Sequence, residues 1–359
     1  MDLFAGCGGT ALGVEEACRA VGLATSVPFA IDNSAAACAV FRDNFPSANL
    51  HQGDVGDFFE ADLDAPLNSV EIELAKKAGK VDLVIGGPPC QGHSDLNNYS
   101  RRADPKNALY STLARAAKVF RPRHVIIENV QGTPHDRAGI FQTTVNNLIG
   151  QGYHVEFGLV DLSRLGVPQT RRRHIVVASL EFAPPSIPKI VQENEVTERR
   201  DVRWAIGDLL KTASTKLVDQ PSKPSKDNVR RIEYLFNNGL YDLPNSERPP
   251  CHRDRKQTYN SVYGRLKWDL PSQTITSGFY SMCMGRYVHP EKYRTLTAHE
   301  AARLQCFPDF FSFEAAGSRT AIATLIGNAV PMKLSYAIVR SLLNIQKIER
   351  EPVQKVDKL

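Results

Sequence analysis

The sequence predicts an α/β fold in which an open, mostly parallel sheet carries helices on both faces and a smaller second domain is attached. Three observations carry that expectation. Val81-Asp82-Leu83-Val84-Ile85 and His124-Val125-Ile126-Ile127 are apolar nearly throughout, as strands buried on both faces are. The first is cut off by Gly86-Gly87-Pro88-Pro89, which hands over to a loop. Near the amino end, Asp2-Leu3-Phe4, the glycine-rich Ala5-Gly6-Cys7-Gly8-Gly9 and a helical run over 10–21 form a strand, a turn and a helix. Glycines let a backbone approach a ligand there, and the first N–H groups of the helix stay free to bind it. Ordinary turns share this pattern, and the spacing is not the full dinucleotide fingerprint.

A chain of 359 residues, 42% hydrophobic and 23% charged, holds enough for a substantial core and for two domains, or for one domain with a large insertion. The net charge of +5 and a pI near 8.8 favour an anionic partner such as nucleic acid, although many soluble proteins share them. None of the seven cysteines forms a Cys-x-x-Cys pair. That argues against a zinc ribbon and for reduced thiols in a cytosolic setting, with no metal. With no signal peptide and no long apolar span, a soluble protein without membrane contact is expected.

In chain order, Pro28-Phe29-Ala30-Ile31 reads as the second strand, with Asp32-Asn33 at its tip and an alanine-rich helix through Phe41 behind it. An acid at that tip suits a ribose hydroxyl, and equally a helix N-cap. Gly53-Asp54-Val55 closes a third extended piece, where Asp54 either accepts from an exocyclic amine or only forms a turn. The loop after residue 85 delivers Cys90 to the carboxyl end of a core strand, where such sheets hold ligands. A thiol there is either a nucleophile or a buried structural group. A helix is expected from Asp104-Pro105 through Leu109, Leu113, Ala116 and Phe120.

Glu128, at the end of the 124–127 run, either caps or pairs, or else acts as an acid because lost solvation favours its protonated form. Residues 153–161 read as another strand. In Gln169-Thr170-Arg171-Arg172-Arg173, an extended backbone puts Gln169, Arg171 and Arg173 on one face. Two guanidiniums side by side suit a phosphate and a carbonyl oxygen.

From about 181 to 267 prolines and basic clusters with interleaved aromatics mark a change of character. They suit phosphate contact and base stacking, or a solvated, loop-rich surface. The expected division is a first part over 1–180, a smaller second part over 181–285 and a return segment over 286–359. Thr297 and Glu300 are spaced as a capping box, and a helical pair over 322–343 is broken at Gly327-Asn328-Ala329-Val330-Pro331.

Taken in this order, Asp2-Leu3-Phe4-Ala5-Gly6-Cys7-Gly8-Gly9, Pro88-Pro89-Cys90-Gln91, Glu128-Asn129-Val130, Gln169-Thr170-Arg171-Arg172-Arg173, Arg303-Leu304-Gln305 with Phe307-Pro308-Asp309, and Gly327-Asn328-Ala329-Val330-Pro331 resemble the bacterial type of DNA (cytosine-5)-methyltransferase. The resemblance spans nearly the whole chain outside 181–267, where that family varies most. It implies a Rossmann-like methyltransferase sheet with S-adenosyl-L-methionine as cofactor. Phe4, Gly6, Cys7, Gly9, Asp32, Asn33, Asp54, Val55, Pro89, Leu109, Asn328, Ala329 and Val330 would surround that cofactor.

It further implies Cys90 as nucleophile, Glu128 as acid, and Arg171 and Arg173 beside the target base. Gln91, Ser94, Gln169 and Thr274 would contact the displaced nucleotide. The expected partner is double-stranded DNA. A cognate restriction endonuclease or other defence system is expected around it, with the enzyme a cytoplasmic monomer, nucleoid-associated when bound to DNA. Two competing readings are a tRNA cytosine-5 methyltransferase of the same family and a DNA-binding regulator without turnover. Met1 directly precedes Asp2, where family members usually enter the first strand several residues earlier, so a short central strand is expected. Cys7 stands where aliphatic residues are common. A short variable region suggests a compact recognition module and a short target.

Overall fold

The first strands are short, and the order of the sheet follows from how the chain leaves them. The computed structural model describes residues 1–59, 61–89, 109–135, 139–211, 214–253 and 262–350. β1 (Asp2–Leu3) is followed by α1 (Gly9–Arg19), β2 (Ala30–Asp32), α2 (Ala35–Asn44) and β3 (Leu50–Gln52), all stepping to one side. After α3 (Gly56–Phe59) and α4 (Ser69–Ala78), β4 (Leu83–Gly86) pairs with the other side of β1. α5 (Thr112–Phe120) leads to β5 (His124–Val130), parallel to β4. Then come α6 (Ile140–Gly150), β6 (His154–Asp161), β7 (Gln169–Thr170) and β8 (Arg172–Ser179).

β8 inserts antiparallel between β5 and β6, giving the order β3-β2-β1-β4-β5-β8-β6. The direction of stepping reverses between β1 and β4. Open α/β sheets hold ligands at such a switch point, outside the carboxyl ends of the strands. Asp2 lies opposite Ile85 and Leu3 opposite Gly86, so the turns after these two strands emerge side by side.

Alternation along the strands divides the core. Leu3, Ile31, Val84, Val125, Ile127 and Val176 pack with α3 to α6, whereas Ile85, Ile126, Val160, Ile175 and Val177 face the other side. There they meet α7 (Ile187–Asn194) and α12 (Met332–Arg350). Residues of α8 (Val202–Ile206), α10 (Ala298–Leu304) and α11 (Arg319–Asn328) form a further cluster with α1 and α2. By length and composition Arg319–Gln346 could cross a membrane, but 67% of its apolar window is buried inside the protein. Pro331 breaks the stretch into two helices, and the burial shows what its apolar side chains serve.

Most expected elements form with shifted ends. The first helix stops at Arg19, with Gly22 in the left-handed region beyond it. The second strand starts at Ala30 because Pro28 has no N–H for a ladder. The helix expected from Asp104 begins at Thr112 among the described residues.

The boundary placed at 181 is not where the packing changes. Phe182, Ile187, Ile190 and Val191 belong to the core on the sheet. A separate small core of Ile232, Leu235, Leu243, Val262, Tyr263, Met282 and Val288 forms around α9 (Lys226–Asn237). The basic and aromatic residues of this region partly satisfy one another. Arg265 is buried between the Phe236 and Tyr241 rings, each 4.4 Å from its guanidinium carbon, and Arg231 is buried against Asn228 and the Glu247 carbonyl. Arg199, Arg230 and Arg253 stay exposed.

Candidate active site

Glu128 and Arg173 meet because β5 and β8 run antiparallel with Val130 opposite Arg173. Residues opposite one another, and residues two apart on one strand, share a face. The carboxylate and guanidinium therefore project together, with Arg173 Nε 2.6 Å from Glu128 Oε1. Their side chains are only 11% and 15% exposed, so the pair is shielded from water. Of the alternatives open for Glu128, the structure shows a paired carboxyl, with Arg173 as the partner. Gly87 makes room for it, since a Cβ there would lie 3.0 Å from Glu128 Oε2. Gly86 is equally constrained, with its missing Cβ 2.7 Å from the Leu3 carbonyl.

Arg171 is buried and donates through Nη1 to the Ile275 carbonyl at 3.3 Å. The expected alternation holds, since Gln169 and Arg171 are buried while Thr170 and Arg172 are exposed. Gln169, however, is fully enclosed. Its Nε2 donates to the Leu304 carbonyl (2.9 Å) and to Gln305 Oε1 (2.8 Å), and its Oε1 accepts from the Ile275 N–H (3.1 Å). It positions neighbouring segments and does not face an open site. β9 (Ser272–Gln273) pairs in parallel with β7 and brings Thr274 beside the arginine segment, where its hydroxyl donates to the Thr170 carbonyl at 3.2 Å. The buried Tyr287 hydroxyl secures this turn by donating to the Thr274 carbonyl at 3.0 Å.

On the β1 side of the switch point, Phe4 has φ +62°, a strained conformation for an aromatic residue. Gly6, at φ +55°, has open space where a Cβ would stand. Asp32 accepts from the Gly6 N–H through Oδ2 and from the Ser34 N–H through Oδ1, both at 2.8 Å. The helix cap expected at this tip falls to Ser34, leaving Asp32 to tie the first two turns together. Asn33 and Asp54 are exposed beside them, and Asp54 accepts from the Gly56 N–H.

Val55 and Cys7 turn their side chains into the core, so only their backbones can reach a ligand. Burial pushes the Cys7 thiol up to about 12, which keeps it inert. Gly9 lies so close to Val330 that a Cβ would come within 2.7 Å of the Val330 carbonyl and 3.7 Å of the Ala329 Cβ. Exposed Asn328 and half-buried Ala329 and Val330 thus border the glycine-rich turn. Half-buried Pro89 and Leu109 flank the segment that contains Cys90, Gln91 and Ser94. Those three residues lie outside the described residues.

Two residues that the sequence reading did not assign a role also act here. Asn129 is buried and donates to the Pro88 carbonyl at 3.5 Å, steadying the turn that leads to Cys90. Gln305 donates to the Ile326 and Ala329 carbonyls (2.6 and 3.2 Å). Both are uncharged amides inside recognisable segments, and only their position beside the charged residues hinted at them. Among the described residues no cluster of His, Cys, Asp and Glu suits a metal ion.

Residues 1–344 match the family described as C-5 cytosine-specific DNA methylase. The chain belongs to that family. C-5 cytosine-specific DNA methylases are transferases that methylate carbon 5 of cytosine in DNA and draw the methyl group from a donor cofactor. The chain is similar to the type II methyltransferase M1.BsuMI of Bacillus subtilis (strain 168), with 46% identity over 94% of this chain and 78% of that protein. It is also similar to the type II methyltransferase M.Eco47II of Escherichia coli, with 32% identity over 96% and 78%. A putative DNA modification methyltransferase encoded within an E. coli prophage shares the fold at TM-score 0.65 and 22% identity, covering 96% of this chain and 98% of that one. The S. pombe Dnmt2 methyltransferase shares it at 0.64 and 19%, with the same coverage.

Proposed function

We propose that this enzyme transfers a methyl group from S-adenosyl-L-methionine to carbon 5 of cytosine in one short sequence of double-stranded DNA, through a covalent Cys90 adduct on a base swung out of the helix. The observation that carries this reading is the shielded Glu128–Arg173 pair, one strand away from the turn that leads to Cys90. The glycine-rich turn fits the cofactor. The open face of Gly6 admits a ligand against backbone, and Asp32, Asn33 and Asp54 stand at the strand tips where ribose and adenine would lie. Phe4 would face the adenine, the Cys7 and Gly9 backbones would line the methionine end, and Leu109 with Asn328 to Val330 would close the pocket.

When bound, S-adenosyl-L-methionine supplies an electrophilic methyl group on its sulfonium. Carbon 5 of cytosine is a poor nucleophile because the aromatic ring holds its electrons. The Cys90 thiolate bonds to carbon 6 and breaks the aromaticity, leaving enamine character at carbon 5. Glu128 supports this by hydrogen bonding or protonating ring nitrogen 3, where charge develops. Arg171 and Arg173 suit the ring carbonyl oxygen and a phosphate. Once carbon 5 is methylated, a base such as water removes its proton, Cys90 leaves and the ring is restored.

Swinging the base out costs a few kcal/mol. Phosphate contacts from exposed Arg199, Arg230 and Arg253 offset that cost, and Thr274 holds the displaced nucleotide. The small region around α9 is the proposed recognition part. The type II names of the relatives support a restriction endonuclease or other defence system as partner, with the enzyme a cytoplasmic monomer associated with the nucleoid.

Bisulfite sequencing of DNA from cells expressing the protein is expected to show methylcytosine in one short context, and none with Cys90→Ala. The variant is expected to keep its cofactor affinity. Methylation by Cys90→Ala, or labelled methyl transfer to tRNA in preference to DNA, overturns the reading.

A further inference from the structure

We infer that Gln169 and Gln305 form a buried relay that couples occupancy of the cofactor pocket to the geometry of the target-base pocket. The inference rests on the reading above and concerns residues that touch neither ligand. Both side chains are completely buried. Each hydrogen bond in the relay fixes the next. Ile275 donates its N–H to Gln169 Oε1 (3.1 Å), which turns Gln169 Nε2 toward the Leu304 carbonyl (2.9 Å) and Gln305 Oε1 (2.8 Å). Gln305 Nε2 then points at the carbonyls of Ile326 (2.6 Å) and Ala329 (3.2 Å).

An amide has one acceptor side and one donor side, so neither glutamine can flip without breaking bonds at both of its ends. The two ends of the relay are the two pockets. Ile275 also accepts from Arg171 at 3.3 Å and directly follows Thr274. Ala329 lies 3.7 Å from where a Gly9 Cβ would be, and the neighbouring Val330 carbonyl 2.7 Å away. A second contact runs alongside, because a Cβ on Gly327 would lie 2.0 Å from the Ser277 nitrogen. The α11 end thus abuts the Thr274–Ser277 turn with no slack. A ligand that presses on Asn328, Ala329 and Val330 must either move Gln305 or lock it, and Gln305 transmits that state to Ile275 and Arg171 through Gln169.

The test is amide hydrogen exchange on the full chain with and without S-adenosylhomocysteine. In the unaltered protein, saturating S-adenosylhomocysteine is expected to slow exchange at the 4–9 turn and also across 272–277, by about fivefold or more, the lower end of ordinary coupling. In Gln305→Met and in Gln169→Met, which keep side-chain length but carry no amide, protection at 4–9 is expected to persist while the effect on 272–277 is lost. Retained protection at 4–9 shows that each variant is folded and still binds. The coupling is wrong if 272–277 does not respond in the unaltered protein, or responds equally in the variants. If 4–9 itself shows no protection, the cofactor reading fails instead, and the relay with it.

Discussion

Glu128 owes its place to a residue without a side chain. The Gly87 backbone passes so close that an added methyl would sit 3.0 Å from Glu128 Oε2. Gly87→Ala therefore displaces the carboxylate by a few tenths of an ångström without opening a cavity. A misplacement of about 1 Å near reacting atoms costs about 100-fold in rate, so this smaller shift is expected to lower turnover by up to about 10-fold. Labelled-methyl transfer to unmethylated genomic DNA is expected to show that loss, with a melting temperature close to that of the unaltered protein. A variant of full activity contradicts the assignment of Glu128. Glu128 itself was readable, because a carboxyl ending an apolar run stands out. Its Arg173 partner was readable as a residue type but not as a contact, since strand pairing cannot be seen one strand at a time. Gln169 was placed on the correct face and given the wrong surroundings, because alternation fixes a direction and says nothing of what is met there.

Helix α5 is anchored by a buried ion pair that no motif announced. Arg115 and Glu71 approach to 2.6 Å with 1% and 0% exposure. Arg115 also donates to the carbonyls of Asp62, Ala65 and Pro66, so it holds the whole segment between α3 and α4. Burial pushes Glu71 up, but Arg115 and the Asn68 N–H outweigh it and hold the carboxyl below its usual range. Arg115→Met leaves Glu71 uncompensated and is expected to cost about 3–5 kcal/mol in denaturant unfolding. The double variant Glu71→Leu with Arg115→Met is expected to recover a good part of that loss. A single variant as stable as the unaltered protein excludes the anchoring role. Elements with local signals were legible. The Thr297–Glu300 capping box forms as its spacing suggests, and the apolar strands lie where periodicity put them. The Asn68–Glu71 box is just as local and was passed over, whereas the Arg115 anchor was not readable, because the Ala65 carbonyl it holds lies 50 residues away.

Across the molecule, three buried histidines link stability to pH. Burial lowers His124, His174 and His289 from 6.5 to about 4 each. Below 6.5 the unfolded chain takes up protons that the folded one refuses, so their contribution is complete above pH 6.5 and is lost as pH falls toward 4. Each loss is at most about 3 kcal/mol at pH 4. His289 shows why, since its Nδ1 accepts from the Glu291 and Lys292 N–H groups (3.0 and 2.9 Å) and a proton there ends both bonds. His289→Asn offers an oxygen near the same place, so its melting temperature is expected to fall less steeply between pH 7 and pH 5. A slope equal to that of the unaltered protein rules His289 out as a contributor. At this scale the order of six segments was enough to read the overall architecture. The separation of the small core was not, because Ile187 and Val191 resemble insertion residues in sequence and turn toward the sheet only in space.

The Ser335 hydroxyl donates to the Thr10 carbonyl across 325 positions of sequence, beside the contact between Gly9 and Val330. A growing chain therefore cannot complete the packing around the glycine-rich turn while its opening turn and first helix are the only parts outside the ribosome. The glycine turn has to wait for the helices of residues 319–350, so catalytic competence arrives in a late step of synthesis and not by gradual accumulation. A chain ending before those helices is expected to transfer no labelled methyl group to DNA, and transfer by it rules this dependence out.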